Sequence, residues 1–295
     1  MTNRANHFLQ EFLSLFIRLT GIPWVIREIY ARHKVTIINY HNPSPEVFEK
    51  HLALFKRCYS FVSIDQVFDA LIKNNFSILP PKPLLITLDD GHIGNALLLG
   101  IIKKYDLPAV IYAVAGIVGT KHGFWFDKLA HHSQEMKILK NMPDAARRSW
   151  MEQHYKHKDK YEYDTPTALS IEQLKDFISI GCTIGSHTMF HPMLNRCDDK
   201  IGFSECIESR NCLVNALGTP VKHFALPNGN MDSRVKGWLD KSGYLTCRSI
   251  TPGFLMEDGD ALSLPCFGIS DNAGSNKALL QVSGLWYIFK RMVGK

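Results

Sequence analysis

Two adjacent carboxylates, Asp89 and Asp90, directly follow the apolar run 84–88 and precede Gly91. Because neighbouring side chains of an extended chain point to opposite sides, the two aspartates can take different roles. A carboxylate buried at the end of a strand needs a cation or a metal ion to compensate its charge. An Asp-Asp-Gly sequence is also an ordinary turn, so this feature alone leaves both interpretations open.

Two histidines, His187 and His191, follow the β-rich run 182–186 and stand four positions apart. On a helical turn this spacing places both imidazoles on one face, where they can bind one metal ion. One aspartate and two histidines leave coordination positions open for water and substrate, which suits Zn²⁺ or another divalent cation. A second aspartate beside the ligand can act as a general base on the water.

Two further strand ends carry weaker signals. Pro227 and Asn228 follow the run 224–226 in a turn whose backbone N–H groups can hold an oxyanion, although this turn alone is typical of a structural loop. His41 follows the β-rich run 35–40 and would, taken alone, be an isolated loop histidine.

Short β-rich runs alternate with helical patterns through the middle of the chain. Strands separated by helices indicate parallel pairing, and about seven such units predict a barrel or a doubly wound sheet. In both folds the active site forms at the carboxyl ends of strands, where the four motifs stand. The predicted strands are 35–40, 84–88, 109–115, 182–186, 222–226, 244–249 and 264–269, and the predicted helices lie near 46–58, 64–73, 94–105, 125–140, 144–156, 170–179, 204–216 and 231–242.

In this order the motifs resemble those of the polysaccharide deacetylases with a NodB-homology domain, also called carbohydrate esterase family 4. The run Ile86-Thr-Leu-Asp-Asp-Gly91 is similar to the family's T-F-D-D-G motif, with Leu88 in place of Phe. His187-Thr-Met-Phe-His191 matches H-[ST]-x-x-H in full, and Leu226-Pro-Asn-Gly-Asn230 resembles Y-P-x-G. The resemblance spans about residues 35–270.

The resemblance implies an α/β fold, a distorted (β/α) barrel of about seven parallel strands, that removes an N-acetyl group from an amino sugar. It implies that Asp89 is the general base, that Asp90, His187 and His191 bind the metal, and that backbone N–H near Asn228 stabilises the oxyanion. The implied cofactor is a divalent cation, in the first place Zn²⁺, with Co²⁺, Ni²⁺ and Mn²⁺ as alternatives.

The sequence departs from the family pattern in two respects. Many members carry an Arg two residues before the proline of the third motif, paired with the catalytic aspartate, and here that position holds Ala225. The chain also has no Asp-x-x-Asp-Trp motif and no C-terminal catalytic histidine motif. A circularly permuted subgroup places its acid histidine in an N-terminal Tyr-His segment, which Tyr40-His41 resembles. His41 is therefore the expected general acid, while Ala225 leaves Asp89 without an identified partner.

Four residues are further candidates for binding the sugar: Pro227, Trp125, Asp127 and His92. The run Phe124-Trp-Phe-Asp127 offers aromatic faces that can stack on a sugar ring, and it is equally compatible with a helix start that has Asp127 in its first turn. His92 follows the aspartate pair and contacts either the substrate or only solvent.

The composition is that of a globular protein. The 295 residues are 45% hydrophobic and 21% charged, which excludes disordered, collagen-like and coiled-coil classes. Seven cysteines without a C-x-x-C pair argue against a disulfide scaffold and a zinc ribbon, and they favour a reducing compartment. We find neither a secretory signal nor an apolar run of about 20 residues, so the expected location is cytoplasmic.

The basic excess lies at the two ends of the chain. The net charge is +6, and residues 1–34 and 271–295 hold all of it. We predict that both ends are amphipathic helices that flank a deacetylase domain of residues 35–270. They either pack on this domain or lie on the inner face of an anionic membrane, whereas the neutral body argues against nucleic acid. Their apolar positions are Phe8, Leu9, Phe12, Leu13, Leu15, Phe16 and Leu19, then Leu279, Val282, Trp286, Phe289 and Val293.

Three functions remain open from the sequence. The first is a metal-dependent hydrolase that removes an N-acetyl group from an amino sugar in a glycan, or in a lipid-linked or nucleotide-linked precursor of a cell-surface polysaccharide. The second is an inactive glycan-binding protein on the same fold, suggested by the altered third motif and opposed by the complete set of two aspartates and two histidines. The third is deformylation of a lipid-linked amino sugar, which the motifs accommodate equally well.

Overall fold

Eight parallel strands form the centre of the protein. The structure, a computed structural model, describes residues 2–130 and 133–292, with side chains for residues 10–130 and 133–291. The strands in this part are β1 (Thr36–Tyr40), β2 (Ser60–Phe61), β3 (Pro83–Leu88), β4 (Val110–Ala113), β5 (Thr183–Ser186), β6 (His223–Ala225), β7 (Thr246–Arg248) and β8 (Phe267–Gly268). They follow the order β7-β6-β5-β4-β3-β1-β8, and β2 pairs with the start of β3.

The sheet curls until its two edges meet. Leu264, just before β8, donates its N–H to Cys247 O at 2.8 Å and accepts from Ser249 N–H at 2.9 Å, so it bridges to β7. β8 in turn pairs with β1 on the opposite edge. The chain between β7 and β8 thereby joins the edges, and the carboxyl ends of the parallel strands surround one rim. The predicted distorted (β/α) barrel is confirmed.

Helices surround the sheet, and several of them begin at a side chain that accepts a hydrogen bond from the first turn. Ser63 and Ser170 form capping boxes with Gln66 and Gln173, and Asp198 accepts from Ile201 N–H. The α-helices are α1 (Thr2–Leu19), α2 (Ile22–Val25), α3 (Pro45–Lys56), α4 (Ile64–Ile72), α5 (Leu99–Tyr105), α6 (Gln134–Asn141), α7 (Asp144–Tyr155), α8 (Ile171–Ser179), α9 (Asp199–Leu217), α10 (Ser233–Lys241), α11 (Ser275–Val282) and α12 (Leu285–Met292). A π-helical turn, Ile26–Tyr30, follows α2, and 3₁₀ turns cover Phe76–Ile78, Ile93–Leu98, Trp125–Lys128, Leu194–Arg196, Pro227–Gly229 and Ala261–Ser263.

The strands are buried on both faces, as parallel strands covered by helices require. Alternate residues such as Ile38, Ile86 and Phe224 join the cluster between sheet and helices. Their neighbours, such as Ile37 and Leu85, join a second cluster in the interior of the barrel. The long central strands β1, β3 and β4 are therefore mostly apolar runs, and polar side chains follow where β1 and β3 end.

All seven predicted strands are present, and their ends differ from the prediction by at most three residues. The two-residue strand β2 was not predicted because it carries no pattern of its own. The C-terminal segment forms two helices instead of one, since Gly284 with a φ of +75° separates α11 from α12. Residues 131–132 within the predicted helix 125–140, the side chains of Phe8 and Leu9, and Val293 lie outside the described residues. Within the described residues, no helix combines the length and the apolar character that crossing a membrane requires.

Candidate active site

The two aspartates lie in the turn that follows β3. The N–H of Asp89 still donates to the carbonyl of Tyr40 on β1, at 2.9 Å. Asp90 and Gly91 then both adopt a φ of +69°, which reverses the chain. A positive φ is costly for a residue with a side chain, and such strain is concentrated at functional sites. The reversal lets Asp90 face the loop after β5 while Asp89 faces the interior of the barrel.

The two histidines lie in an irregular loop after β5, so the expectation of a helical turn is wrong. Thr188 and His191 have φ values of +68° and +57°, and these reversals bring both imidazoles together without a helix. Thr188 Oγ1 accepts the N–H of His191 at 2.9 Å. The indole Nε1 of Trp125 donates to the carbonyl of His191 at 3.0 Å. The loop is therefore held on both sides of His191.

The predicted metal ligands Asp90, His187 and His191 converge. Asp90 Oδ1 lies 3.6 Å from Nε2 of His187 and 3.4 Å from Nε2 of His191. One ligand atom from each residue lies within 4.8 Å of the other two. Asp90 Oδ1 is buried and has no hydrogen-bond partner among the described residues. A buried carboxylate oxygen left open between two imidazole nitrogens fits a divalent cation.

The protonation states of the three groups agree with this fit. Burial raises the pKa of Asp90 to about 7, so its charged form needs compensation from a cation. Burial lowers the pKa of His187 to about 4 and holds the pKa of His191 well below its usual value, so both imidazoles are neutral at pH 7. Nδ1 of His187 donates to the carbonyl of Ala225 at 2.8 Å, which leaves the lone pair of Nε2 directed at Asp90.

Asp89 has a permanent counter-charge. Arg248 Nη2 lies 2.6 and 2.5 Å from its two carboxylate oxygens, and this arginine is fully buried at the end of β7. Asn39 Nδ2 donates to Asp89 Oδ2 at 3.2 Å. Burial is the largest single influence and disfavours the ionised form of Asp89. The charges of Arg248, His187 and His41 and the hydrogen bond from Arg248 together outweigh burial and hold the pKa of Asp89 below its usual value. Asp89 is therefore an ionised carboxylate at neutral pH, as a general base must be.

His41 lies at the open side of Asp89. Its Nε2 is 4.0 Å from Asp89 Oδ2, and 56% of its side chain is exposed. The carboxylate of Asp271 accepts the backbone N–H groups of His41 and Asn42 at 3.1 and 3.0 Å, and Asn95 Nδ2 donates to the carbonyl of His41 at 2.9 Å. The backbone of His41 is thus fixed while its imidazole reaches solvent beside the aspartate.

The third motif forms the 3₁₀ turn Pro227–Gly229 after β6. Asn228 has a φ of +56°, and its side-chain oxygen accepts a hydrogen bond from Lys140 Nζ at 3.2 Å. Lys140 comes from α6, and burial lowers its pKa, while the charge of Asp90 acts in the opposite direction. The turn and a lysine from the segment between β4 and β5 therefore meet beside the Asp-His-His cluster.

The four candidate sugar-binding residues occupy different environments. Trp125 and Pro227 are buried, and the guanidinium of Arg147 lies 4.5 Å from the Trp125 ring centroid. Asp127 is exposed in the first turn of Trp125–Lys128, and its charge acts on Asp90. His92 Nδ1 accepts Gly94 N–H at 3.1 Å, and its ring stacks on Phe124 with centroids 6.2 Å apart. Because Trp125 is buried and its indole N–H donates to the carbonyl of His191, it supports the histidine loop from below the surface.

Phe126, rather than Trp125, is the half-buried aromatic beside the histidines. Its ring centroid lies 4.8 Å from that of His191, and it also stacks on Phe124. Sequence reasoning included Phe126 in the aromatic run 124–127 but selected Trp125 as the candidate for binding the sugar. Only the direction of each side chain, which the 3₁₀ turn sets, distinguishes the two.

A buried carboxylate from α9 holds the histidine loop from behind. Glu205 Oε2 accepts the N–H groups of Met189 and Phe190 at 2.8 and 3.0 Å. Arg148 of α7 donates to Glu205 Oε1 at 3.1 Å and also pairs with Asp144. The polar segment between β4 and β5 thus extends its support to the loop that carries His187 and His191.

Sequence reasoning missed Arg248, Asn39, Glu205 and Lys140. Arg248 had one readable signal, because it is a charged residue inside the β-rich run 244–249. A charge at that place needs a buried partner. The other three residues become functional only through contacts between distant segments.

The match to a protein-family model decides the identity of the fold. The model of polysaccharide deacetylase matches residues 77–246, more than half of the chain, and includes both aspartates and both histidines. The chain belongs to the polysaccharide deacetylase family. Deacetylation of a glycan is the activity of this family, and its members generally depend on a metal ion. His41 and Arg248 lie outside the matched residues.

Solved structures of polysaccharide deacetylases share the fold. The Streptococcus pyogenes deacetylase PplD, solved in complex with acetate, is 19% identical with a TM-score of 0.63, covering 84% of this chain and 98% of that one. IcaB from Ammonifex degensii is 19% identical with a TM-score of 0.60, covering 85% and 95%. A de-N-acetylase from Aggregatibacter actinomycetemcomitans is 15% identical with a TM-score of 0.59, covering 84% and 100%. Among proteins with curated descriptions, none matches this deacetylase.

Proposed function

We propose that this polysaccharide deacetylase is a metal-dependent amidohydrolase that removes the N-acetyl group from an amino sugar. The observation that carries the proposal is the position of Asp90 Oδ1, which is buried without a hydrogen-bond partner among the described residues, between Nε2 of His187 and Nε2 of His191. Zn²⁺ is the first candidate cation, because two imidazoles and one carboxylate form a known type of hydrolytic zinc site.

Asp90, His187 and His191 would hold the cation. When bound, it supplies Lewis acidity, which polarises the amide carbonyl and lowers the pKa of water. The carbonyl of Ala225 fixes the tautomer of His187, and Trp125 and Thr188 fix the backbone of His191. These contacts keep the ligand atoms in place before any cation arrives, which reduces the cost of assembling the site.

Asp89 would accept the proton of the attacking water. It is the ionised carboxylate beside the metal ligands, and Arg248 and Asn39 keep its oxygens oriented. Among the described residues, its neighbour Asp90 forms no ion pair with an arginine or a lysine, so the two adjacent aspartates divide the roles of base and ligand according to their surroundings.

His41 would donate a proton to the leaving amine. Its Nε2 lies 4.0 Å from Asp89 Oδ2, so one imidazole and one carboxylate flank the position where the amide bond would break. The backbone N–H near Asn228 would donate to the oxyanion that forms on the acetyl group. Lys140, which binds the side chain of Asn228, would keep this turn in place.

The substrate we propose is an N-acetylated amino sugar on a lipid-linked or nucleotide-linked precursor of a cell-surface polysaccharide. Phe126 offers the half-buried aromatic face beside His191, while Asp127 and His92 lie in its surroundings. The cytoplasmic, inner-membrane location that the sequence suggests would present such a precursor. The inactive glycan-binding alternative rested on the altered third motif, and the contact of Arg248 with Asp89 removes that reason.

Release of free amine from N-acetylated oligosaccharides of glucosamine tests the proposal. We expect activity that chelation abolishes and Zn²⁺ restores, and that Asp89→Asn reduces at least about 100-fold because the base is lost. The exposed Asp69→Asn on α4 is the matched control and should retain wild-type activity. N-formylated substrates in the same assay separate deacetylation from deformylation. Full activity in the Asp89→Asn variant would contradict the assignment of the base.

A further inference from the structure

Helix α1 turns its polar side toward the protein. Glu11 accepts the backbone N–H groups of Asn276 and Lys277, at 3.3 and 3.1 Å, at the start of α11. Gln10 accepts from Lys277 Nζ at 2.9 Å, and Ser14 is fully buried. A surface helix of a globular protein normally does the reverse and buries its apolar stripe.

The opposite side of α1 is apolar and exposed. Phe12, Phe16 and Leu19 stand at helical spacing with exposed fractions of 58%, 69% and 74%. The exposure continues through α2 and the π-helical turn. We name the whole area the outer apolar surface, and it consists of Phe12, Leu13, Leu15, Phe16, Leu19, Ile22, Trp24, Val25, Ile29 and Tyr30.

This surface is a concentration of apolar residues rather than ordinary scatter. It holds ten of the twenty large apolar residues that are exposed among the described side chains, within a segment of nineteen residues. Single exposed apolar residues need no explanation, whereas a contiguous patch marks a site of interaction.

The charges around the outer apolar surface are basic. Both acidic residues of this segment are engaged by the protein, Glu11 with α11 and Glu28 with Arg27 and Lys82 at 2.8 and 3.1 Å. The basic side chains Arg18 and Arg32 are exposed beside it, although Arg18 also donates to Asn276 Oδ1 at 3.0 Å and Arg32 lies 3.5 Å from Glu28 Oε2. At the other end of the chain, the last turn of α12 carries exposed Lys290 and Arg291, next to the exposed Ile288. The charge of Lys290 acts on Lys277, which binds Gln10 of α1.

We propose that the outer apolar surface binds an anionic phospholipid bilayer, with α1 lying in the plane of the interface. An apolar helical face bordered by basic residues matches both parts of such a bilayer, the acyl chains and the anionic headgroups. Trp24 and Tyr30 supply the amphipathic rings that prefer the headgroup level. This binding goes beyond the proposed hydrolysis and does not depend on it.

α1 is linked to one edge of the active site. α1 is fixed to the first turn of α11, and this helix begins shortly after Asp271. Asp271 accepts the backbone N–H groups of His41 and Asn42. α1 and the segment that holds His41 are therefore connected through the start of α11.

Sedimentation with vesicles tests the proposal on the full-length protein. Vesicles of phosphatidylcholine with phosphatidylglycerol are compared with vesicles of phosphatidylcholine alone, at low and high salt. We expect binding to the anionic vesicles that weakens with salt, and a drop of about tenfold or more in the partition coefficient of Phe16→Ser/Leu19→Ser. The control Ile72→Ser/Ile78→Ser removes two exposed apolar side chains elsewhere and should bind like the wild type.

Several results would overturn the proposal. One is wild-type protein that stays in solution with anionic vesicles, and another is equal binding of the Phe16→Ser/Leu19→Ser variant. A third is a dimer in sedimentation velocity that this variant dissociates while vesicles bind nothing, which would assign the surface to a second copy. Amine release from a soluble oligosaccharide is measured beside each variant. Wild-type protein that binds the vesicles but releases no amine would count against the hydrolase and not against this surface.

Discussion

Arg248 and Ala225 are direct register partners on the neighbouring parallel strands β7 and β6. Residues at one register level of adjacent strands project to the same face of a sheet. The family pattern leads one to expect an arginine at position 225, which is alanine here. Arg248 on the next strand contacts Asp89 instead, at 2.6 and 2.5 Å. The charge of the third motif is therefore kept in space although its place in the sequence has moved.

Replacing Arg248 with methionine should disable the base and destabilise the protein. Removing one partner of a buried ion pair leaves Asp89 uncompensated, which costs about 3–5 kcal/mol. We expect a kcat at least about 100-fold lower, while the metal content stays unchanged because, among the described residues, the hydrogen bonds of Arg248 go to Asp89 and Ser249 and to none of the metal ligands. Urea unfolding, metal analysis and amine release measure the three effects. Wild-type kcat in Arg248→Met would contradict this role.

Moving the arginine back should rescue part of the activity. In Ala225→Arg/Arg248→Ala the guanidinium starts one strand away at the same level of the barrel and replaces the deleted side chain. We expect the double variant to exceed Arg248→Ala in amine release by about tenfold. No rescue in a double variant that remains folded by circular dichroism would show that the two positions are not equivalent.

His41→Ala should affect amides and activated esters differently. Loss of a general acid lowers the rate of amide cleavage by about 10²–10⁴-fold, because the amine must be protonated to leave. An aryl ester with a nitrophenolate leaving group needs no such proton, so its hydrolysis should stay near the wild-type rate. The exposed His33→Ala is the matched control. Equal losses on both substrates would indicate a structural role for His41.

Glu205→Ala should weaken metal binding without touching a ligand. It removes the acceptor for the N–H groups of Met189 and Phe190, so the loop between the two histidines loses its support. Groups that orient metal ligands typically contribute 10–100-fold to metal affinity, and we expect a loss of this size in Zn²⁺ titrations of the metal-free protein. Glu208→Ala, exposed on the same helix, should titrate like the wild type. Unchanged affinity in Glu205→Ala would refute the support that we assign to it.

His157 should make the folded protein sensitive to mild acid. Burial, reinforced by Lys128 and Arg147, lowers the pKa of His157 to about 4, and Nδ1 lies 2.9 Å from the Tyr163 hydroxyl. Below its ordinary pKa of about 6.5 the unfolded chain binds a proton that the folded protein refuses, so stability falls as the pH drops from about 6.5 toward 4.

Urea unfolding of the wild type and His157→Gln at pH 7 and pH 4.5 measures this effect. Between the two pH values the wild type should lose about 2 kcal/mol more of its free energy of unfolding than the variant does. Parallel losses in both proteins would mean that His157 is not held neutral by the fold.

The barrel and the Asp-His-His cluster could be predicted from the sequence because both depend on local signals. The four motifs each follow a β-rich run, and two of the motifs have fixed spacing. The partner of Asp89 could not be predicted, since it depends on the register between β6 and β7. The sequence predicted a single C-terminal helix, whereas two helices form. Gly284 separates them with a positive φ, which apolar periodicity does not reveal.

The orientation of side chains in irregular segments also escaped prediction. Trp125 and Phe126 are adjacent aromatics, and only the 3₁₀ turn determines that the first is buried and the second lies beside His191. The support from Glu205 joins α9 to the histidine loop through backbone hydrogen bonds, for which the sequence has no motif. What could be predicted lies within single segments, and what could not depends on contacts between them.

Metal content combined with amine release tests the central claim most directly. The wild type is compared with Asp90→Asn, which keeps the size of the side chain, and with His187→Ala/His191→Ala, after reconstitution with Zn²⁺ and removal of excess metal. We predict about one cation per wild-type chain, none in the double variant, and amine release only where the cation is retained. Wild-type protein that binds no divalent cation, or that releases amine equally with and without it, would contradict the account.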